Sequence, residues 1–444
     1  MRGTSLSMKH NGRSLLQFAA PTIVMTVFMS LYTTVDGIFV ANWVSSQALA
    51  GLNLVIPGLS VLVACAVLIS AGGSVVIARK LGQGQNQEAR ADFSSLVFGT
   101  VLFGLVVTVL GTVFASPILG LLGTTPALFP VAYDYYQTLV LFSTSCVLQV
   151  QFQYFFIAAG LPRLGLLCVT AGGITNIVLD YGFIVLLDLG IRGAALATGI
   201  GYSIPAAVGL IWFSVRRDGV LFFSRPAARA STWLESCVNG ASSMIINLAG
   251  ALVTWLFNRI IVLYLGEAGI SAATIVLYAR FVFNSILSGY ASGVSPVISY
   301  NFGRQDFDQV KLLFRVSVKV VMAGSLLSLA ACALLSEPVS VLFASDDPYL
   351  AQLARRGILL FSLGYLFNGI NTFAAALFSA LNKGSLSAAM SFLHTFVFLT
   401  GSMLLLPRLG LGADGVWLAV PAAELCSLFL SIYLLKRNQK IYRY

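Results

Sequence analysis

Long apolar runs separated by short polar connections fill almost the whole chain. A helix needs roughly 20 mainly apolar residues to cross the hydrocarbon layer of a bilayer, and most of these runs are at least that long. Dividing the chain at charge clusters and at Gly, Pro and Asn turns predicts twelve helices. They cover 15–42, 48–78, 93–116, 130–157, 164–187, 193–215, 236–264, 270–300, 316–336, 352–380, 385–406 and 413–435. The pattern predicts an all-α polytopic membrane protein.

Composition supports a membrane protein. Of the 444 residues, 58% are hydrophobic and 9% are charged, and the mean hydropathy is +0.90. Soluble chains carry about 25% charged residues, so this chain has too few ions to cover a soluble surface. Soluble enzymes, nucleic-acid-binding modules and secreted disulfide scaffolds are therefore excluded. The six cysteines show no CxxC spacing, and neither an HExxH motif nor a Ser/His dyad at helical spacing occurs, so we expect no enzyme, no cofactor and no structural metal.

Lysine and arginine positions predict the orientation in the membrane. Of the 26 basic residues, nineteen fall on the side of the N-terminus and three fall within spans. The other side carries Arg192, Arg355, Arg356 and Arg408. Because cytoplasmic loops are enriched in Lys and Arg, both termini are predicted to be cytoplasmic, in the cell (inner or plasma) membrane. No small-residue cleavage site follows the first apolar run, so we interpret that run as an uncleaved first span.

An internal repeat is predicted at the centre of the chain. Shifting by 222 residues places Asp36–Val40 on Asn258–Val262 and Gly193–Ala197 on Gly415–Ala419. A shift of 221 places the loop 82–90 on 303–311. We therefore expect two pseudo-symmetric six-helix lobes, 1–215 and 236–444 with a basic tail, joined by a cytoplasmic linker at 216–235. Transporters built from parallel repeats bind substrate between the halves and alternate access by rocking.

Polar side chains inside the spans mark a candidate ion site. Asp36 in span 1, Asp180 in span 5 and Thr198 in span 6 share one depth, roughly 9 Å below the outer surface for Asp36 at 1.5 Å per residue. Asn176 lies one turn from Asp180 on the same helix face. Ionisable groups in hydrocarbon are functional candidates by default. The alternative is that each acid reaches the interface or bonds only to neighbouring hydroxyls.

This set of oxygens suits a hard monovalent cation or shared protons. Two facing acids in a site of low dielectric constant cannot both stay ionised cheaply, so binding of H⁺ or Na⁺ would neutralise them. Sodium at Asp36 and Asp180 is the one metal ion that the sequence suggests. Pro21 interrupts span 1 and favours a kink, which is either a hinge that bends when Asp36 changes charge or a permanent structural bend.

Further polar residues could line a substrate cavity or hold helices together. Glu424 in span 12 is predicted to be a second ionisable switch, a substrate counter-charge or a hydrogen-bonded structural group. The remaining candidates are Tyr135, Gln149, Gln153, Asn247, Asn368 and Asn371. His394 in span 11 is either a proton relay or a satisfied core residue, and Arg280 in span 8 has a partner that the sequence does not identify.

The chain resembles the multidrug and toxic compound extrusion (MATE) family over almost its whole length. The resemblance rests on Pro21 to Asp36 with the stretch Val35–Val40, on Ala78–Gly84, on Asn176 with Asp180, and on Gly193–Thr198, together with Tyr300–Gly303 and Gly412–Trp417 in the other half. It implies a V-shaped exporter of organic cations and amphipathic drugs, driven by inward H⁺ or Na⁺. It also implies a cation site at Asp36, Asn176, Asp180 and Thr198, and a bending proline at Pro21.

One feature departs from the family pattern. Spans 7 and 10 carry asparagines where certain members have an acidic site, which favours coupling through the first lobe. The runner-up function is a lipid-linked saccharide flippase, which would be expected to line its cavity with several basic groups. We expect a monomer that contacts lipid and a small cationic or amphipathic substrate, and no nucleic acid. The choice between H⁺ and Na⁺ and the identity of the substrate stay open.

Overall fold

The computed structural model describes residues 6, 8–44, 46–227, 229–343 and 348–444. Within some helices it describes the backbone and leaves individual side chains outside the description. The side chains of Asp36 and Asn258 are among these, so the expectations for them lie outside the described residues. The described residues contain no β-strand.

The first half of the chain folds into eight helices. These are α1 (Gly12–Trp43), α2 (Ser46–Gly82), α3 (Asn86–Val113), the short α4 (Ala115–Leu121), α5 (Phe129–Val140), α6 (Ser143–Ala158), α7 (Pro162–Asp180) and α8 (Gly190–Val215). Asn11 begins α1 with a capping box, in which its side chain accepts a hydrogen bond from the backbone of Ser14 and the Ser14 hydroxyl accepts one in return. This arrangement satisfies two backbone donors at the helix start.

The second half begins with a 74-residue helical stretch that is broken once. Its helices are α9 (Ala230–Gly303), α10 (Phe307–Phe343), α11 (Pro348–Ser362), α12 (Tyr365–Ala380), α13 (Gly384–Phe392), α14 (Thr400–Leu405) and α15 (Gly412–Tyr442). Gly266 in α9 has φ 61° and ψ −152°, a conformation available essentially only to glycine. This residue separates the predicted spans 7 and 8.

The helices account for the twelve predicted spans. Eight described helices are long and apolar enough to cross a membrane, and the number rises to ten when each of two bent pairs is one span. Helix α1 and the part of α9 before Gly266 supply the other two, so the all-α polytopic fold is confirmed. The boundaries differ most at span 9, predicted at 316–336, because α10 begins at Phe307 and carries its charged first turns beyond the apolar segment.

Two bent spans reveal the internal repeat in three dimensions. Span 4 bends by 57° between α5 and α6, and span 10 bends by 49° between α11 and α12. The bends lie at Phe142 and Gly364, and these positions differ by 222, the same shift that aligns the two halves of the sequence. Both spans were predicted as single helices, and neither contains a proline at its bend.

The two halves contact each other mainly through α2 and α9, which approach closely because glycines face the opposing backbone. A Cβ atom added to Gly72 would lie 1.8 Å from the carbonyl oxygen of Ser236. One added to Gly240 would lie 1.8 Å from the carbonyl oxygen of Leu68. Small residues permit such contact between membrane helices.

Polar contacts reinforce the same interface between the halves. The Ser299 hydroxyl on α9 donates to the carbonyl oxygen of Val75 on α2 at 2.8 Å. Arg79 Nη2 lies 2.7 Å from Glu235 Oε2. These contacts join the halves at the end of the molecule that carries both chain termini.

The central connection packs on the first half. Arg90 on α3 donates to the carbonyl oxygen of Val220 at 2.8 Å, and the backbone of Ser224 donates to the Ser94 hydroxyl at 2.9 Å. Helix α9 already begins at Ala230, so the last six residues of the predicted linker 216–235 are helical. The division of the chain into two lobes at this linker remains a prediction.

Candidate functional site

Three of the four predicted ion-site residues lie together on α7 and α8. Asn176, Asp180 and Thr198 are 3%, 0% and 6% exposed. The Asn176 amide Nδ2 lies 3.4 Å from the Thr198 hydroxyl. The two helices pack closely at Gly172, where an added Cβ would lie 2.6 Å from the carbonyl oxygen of Gly201.

Asp180 ends α7 and is followed by a π-helical segment, Tyr181–Leu186. Such segments are rare and occur frequently at functional sites. Both Asp180 carboxylate oxygens are out of contact with solvent. Burying an ionised carboxylate is costly unless a hydrogen bond or a cation compensates for the lost water. A buried aspartate at this position is therefore suited to proton or cation binding.

A small cavity opens beside Asn176 and Thr198. It is lined by Gln149, Gly172, Gly173, Asn176, Thr198, Gly201 and Tyr202. The Asn176 Oδ1 atom is buried and accepts no hydrogen bond from the part of the chain that the structure describes. Amide and hydroxyl oxygens are ligands that hard cations prefer, so the first half offers oxygen donors around a space next to Asp180.

Helix α1 runs beside α7 and carries the remaining two predicted residues. Met25 of α1 shares a core cluster with Val169 of α7. Pro21 lies inside α1 and is partly exposed. The Thr26 hydroxyl donates to the carbonyl oxygen of Ser285 on α9 at 2.8 Å, which ties α1 to the second half. The distance from Asp36 to Asp180 stays a prediction, because the Asp36 side chain lies outside the description.

The structure does not bring the predicted cavity residues into one place. Gln149 lines the cavity of the first half. Gln153 is buried one turn further along α6, and its Nε2 donates to no described residue. Tyr135 belongs to a core cluster with Ala194 and Leu139. Asn247 is exposed and donates to the Ser243 carbonyl of its own helix at 2.8 Å.

The other three cavity candidates form a cluster in the second half. Glu424 on α15 is 3% exposed. Glu424 Oε1 accepts a hydrogen bond from Asn368 Nδ2 at 2.8 Å, and Glu424 Oε2 accepts one from Asn371 Nδ2 at 2.8 Å. Asn368 and Glu424 also line a small cavity with Arg280, Asn284, Phe361, Gly364, Tyr365 and Val420.

Sequence reasoning did not predict two partners of this cluster. Arg280 lines the cavity with Glu424, and its guanidinium lies 5.8 Å from the centre of the Phe361 ring. His394 Nε2 lies 3.7 Å from Glu424 Oε1. The only signal for either was its position inside a span, since the contacts join helices distant in sequence. Within the described residues, no group of three His, Cys, Asp or Glu side chains is placed to hold a metal ion.

Comparisons with known proteins agree with this architecture. A family model described as MatE matches the chain twice, at residues 21–182 and 240–400. These two matches cover well over half of the sequence, one in each half of the internal repeat. The chain belongs to the MatE family.

Curated relatives and solved structures extend the match over the full length. The multidrug export protein MepA of Staphylococcus aureus (strain bovine RF122 / ET3-1) is 23% identical over 438 residues, covering 96% of this chain and 94% of MepA. MepA of Staphylococcus haemolyticus is 23% identical over 427 residues, covering 95% of this chain and 92% of that protein.

Two solved structures share the fold at 18% identity. A MATE transporter in complex with MaL6 superposes with a TM-score of 0.94 over 100% of this chain and 99% of that one. The outward-facing conformation of a multidrug resistance MATE family transporter superposes with a TM-score of 0.93 and the same coverage. The protein is therefore a multi-pass membrane transporter rather than an enzyme.

Proposed function

We propose that this protein is a secondary active exporter of organic cations or amphipathic drugs, with H⁺ or Na⁺ as the counter-transported ion and no cofactor. Both termini would face the cytoplasm, and substrate would leave across the plasma membrane. The observation that carries the proposal is the buried trio Asn176, Asp180 and Thr198 beside a cavity within the membrane helices. Buried ionisable residues at this depth mark ion pathways in transporters.

The coupling step follows from the burial of Asp180. With H⁺ or Na⁺ bound, the site is closer to neutral, and burying it among apolar helices costs less free energy. Without the ion, a charged carboxylate favours an arrangement that admits water. Asp36 on the neighbouring α1 would share the ion, and Pro21 would let α1 bend as the charge changes.

Alternating access would occur by movement of one half against the other. In this structure the halves pack through glycines of α2 and α9 at the end that carries the termini. We propose that this contact closes the cytoplasmic side and separates when the transporter opens inward. A lobe boundary at 216–235 and function as a monomer belong to the same proposal.

A flippase for lipid-linked saccharides is less well supported. A pyrophosphate group would require several basic side chains around its site. Among the residues that line the two cavities, Arg280 is the single basic one. The MepA relatives are named as multidrug export proteins, which also favours drug export.

The test is dye efflux from proteoliposomes under separately imposed proton and sodium gradients. Wild type should export ethidium under one of the two gradients. Asp36→Asn and Asp180→Asn should reduce that export by at least tenfold while the protein still inserts. Asp188→Asn is the matched control, because Asp188 is an exposed acid with φ 49°, a conformation that asparagine tolerates well. Export by Asp180→Asn at the wild-type rate would overturn the assignment.

A further inference from the structure

The polar cluster of the second half contains an acid and a base in contact. His394 lies on a π-helical segment, Leu393–Leu399, within span 11. Its Nε2 is 3.7 Å from Glu424 Oε1, and its Nδ1 is 2.8 Å from the Ser427 hydroxyl. The His394 side chain is 23% exposed, whereas that of Glu424 is 3% exposed. The histidine is therefore the less buried member of the pair.

Hydrogen bonds hold the Glu424 carboxylate in one orientation. Each of its oxygens accepts a 2.8 Å hydrogen bond from an asparagine amide. The Asn371 amide cannot be reversed without loss, because its Oδ1 accepts a 2.8 Å hydrogen bond from Ser431. Amide nitrogens only donate, so Glu424 Oε2 serves as an acceptor in its contact with Asn371.

The charges around the pair leave His394 as the variable group. Arg280 on α9 lines the same cavity and offsets the charge of Glu424. Among the side chains that the structure describes, Tyr365 on α12 also lines the cavity, and Cys332 on α10 shares a core cluster with Tyr365. Of these groups, an imidazole is the one that ordinarily titrates between pH 5 and 8.

The pair occupies the place that corresponds to the cavity of the first half. Subtracting 222 from 394, 424 and 420 gives 172, 202 and 198, and Gly172, Tyr202 and Thr198 all line the first cavity. Asn371 corresponds in the same way to Gln149, which also lines it. Both halves thus carry a polar site at equivalent positions, with different chemistry in each.

We propose that His394 and Glu424 form a proton-binding site in the second half, and that the proton competes there with a cationic substrate. This inference rests on the proposed export function. When His394 is neutral, the charges of Glu424 and Arg280 offset each other, and the cavity does not repel a small organic cation. When His394 takes a proton, the imidazolium lies beside the same carboxylate and the site repels the substrate. Proton uptake at this site therefore promotes release of the cation.

The chain offers an unusually clean test, because it contains two histidines, His10 and His394. Binding of radiolabelled tetraethylammonium to the purified full-length protein should weaken about tenfold between pH 7.5 and 5.5. The direction follows because an imidazole ordinarily gains its proton within this interval. His394→Gln should abolish this step, since glutamine keeps a polar contact to Ser427 and cannot titrate in the range. His10→Gln is the matched control and should retain the step.

Two further measurements keep the proposal falsifiable. In protein labelled with ¹⁵N-histidine, the resonance that is lost in His394→Gln should titrate over the same pH range as binding. Glu424→Gln should weaken tetraethylammonium binding at pH 7.5 by at least tenfold. The inference would be overturned if His394→Gln showed the same pH dependence of tetraethylammonium binding as the wild type. It would also be overturned if the His394 resonance did not titrate between pH 5 and 8.

The experiments distinguish an error in the proposed second-half site from an error in the proposed export function. Asp180→Asn should stop ethidium export and still show the pH step in tetraethylammonium binding. Loss of that step in Asp180→Asn would show that it belongs to the first half and would overturn the second site. Wild-type proteoliposomes that export nothing under either gradient, with the step present, would count against the export function alone.

Discussion

The most completely buried ion pair among the described residues joins two neighbouring helices of the first half. Asp92 on α3 is 0% exposed and accepts a hydrogen bond from Lys80 of α2, whose side chain is 12% exposed. Removing one partner of a buried pair leaves an uncompensated charge, which typically costs about 3–5 kcal/mol. The same pair contributes less than that to net stability, since both groups lose hydration.

Lys80→Met should therefore destabilise the protein strongly. We expect a loss of about 3–5 kcal/mol in the free energy of unfolding, measured by denaturant unfolding in detergent. The double variant Lys80→Met/Asp92→Leu should recover most of this loss, because it removes both charges. Arg356→Met is the control, because Arg356 and Asp414 are 64% and 32% exposed, and such pairs contribute about 0.2–1 kcal/mol. Equal losses in the two single variants would refute the argument from burial.

The sequence was informative for residues whose position along one helix decides their role. Asn176 and Asp180 are four residues apart, so their shared face could be predicted, and their depth matched that of Thr198. The contact between His394 and Glu424 could not be predicted in this way. It depends on how α15 packs on the π-helical segment of span 11, and no local spacing encodes the rotation of one helix against another.

At the scale of the helices, one glycine makes the junction between spans 7 and 8. Gly266 combines φ 61° with ψ −152°, while a Cβ added there would meet nothing within 4 Å. Any cost of a side chain at this position is therefore conformational rather than steric. A non-glycine residue in such a region costs of order 1–3 kcal/mol.

Gly266→Ala should lower the free energy of unfolding by about 1–3 kcal/mol. Gly250→Ala in the same helix is the matched control, because it has helical geometry and open space around an added Cβ. In that control the free energy of unfolding should rise by up to about 1 kcal/mol, which is the difference in helix propensity between glycine and alanine. Denaturant unfolding in detergent would measure both variants. If Gly266→Ala leaves the free energy of unfolding unchanged, the junction must adopt another conformation.

Helix number could be predicted from hydropathy, whereas helix shape could not. The apolar runs predicted twelve spans because the bilayer requires a minimum length from each one. The bends at Phe142 and Gly364 and the two π-helical segments leave the hydropathy of their spans unchanged. At the bend, the Phe142 ring packs against another helix, since a Cβ added to Gly199 would lie 2.2 Å from that ring. Contacts of this kind become visible only when the helices are packed.

At the scale of the whole molecule, backbone packing rather than charge holds the two halves together. Glu235 is 40% exposed, so its pair with Arg79 contributes about 0.2–1 kcal/mol. The glycine contacts of α2 and α9 allow backbones to touch, which buries both helix surfaces. A contact that is close yet lacks strong ion pairs can separate and form again, as the proposed rocking of one half against the other would require.

A covalent link across this interface should therefore stop export. In a background without the six native cysteines, Arg79→Cys and Glu235→Cys would be joined by a short bifunctional thiosulfonate, since the native side chains meet at 2.7 Å. Cross-linked protein in proteoliposomes should lose at least nine-tenths of its ethidium export, and reduction should restore it. The control is Asp134→Cys/Arg192→Cys, which replaces a 2.7 Å contact between α5 and α8 within the first half. That link should leave export unchanged, because both helices would move together. Full export by the protein linked between its halves would show that transport does not require their separation at this end.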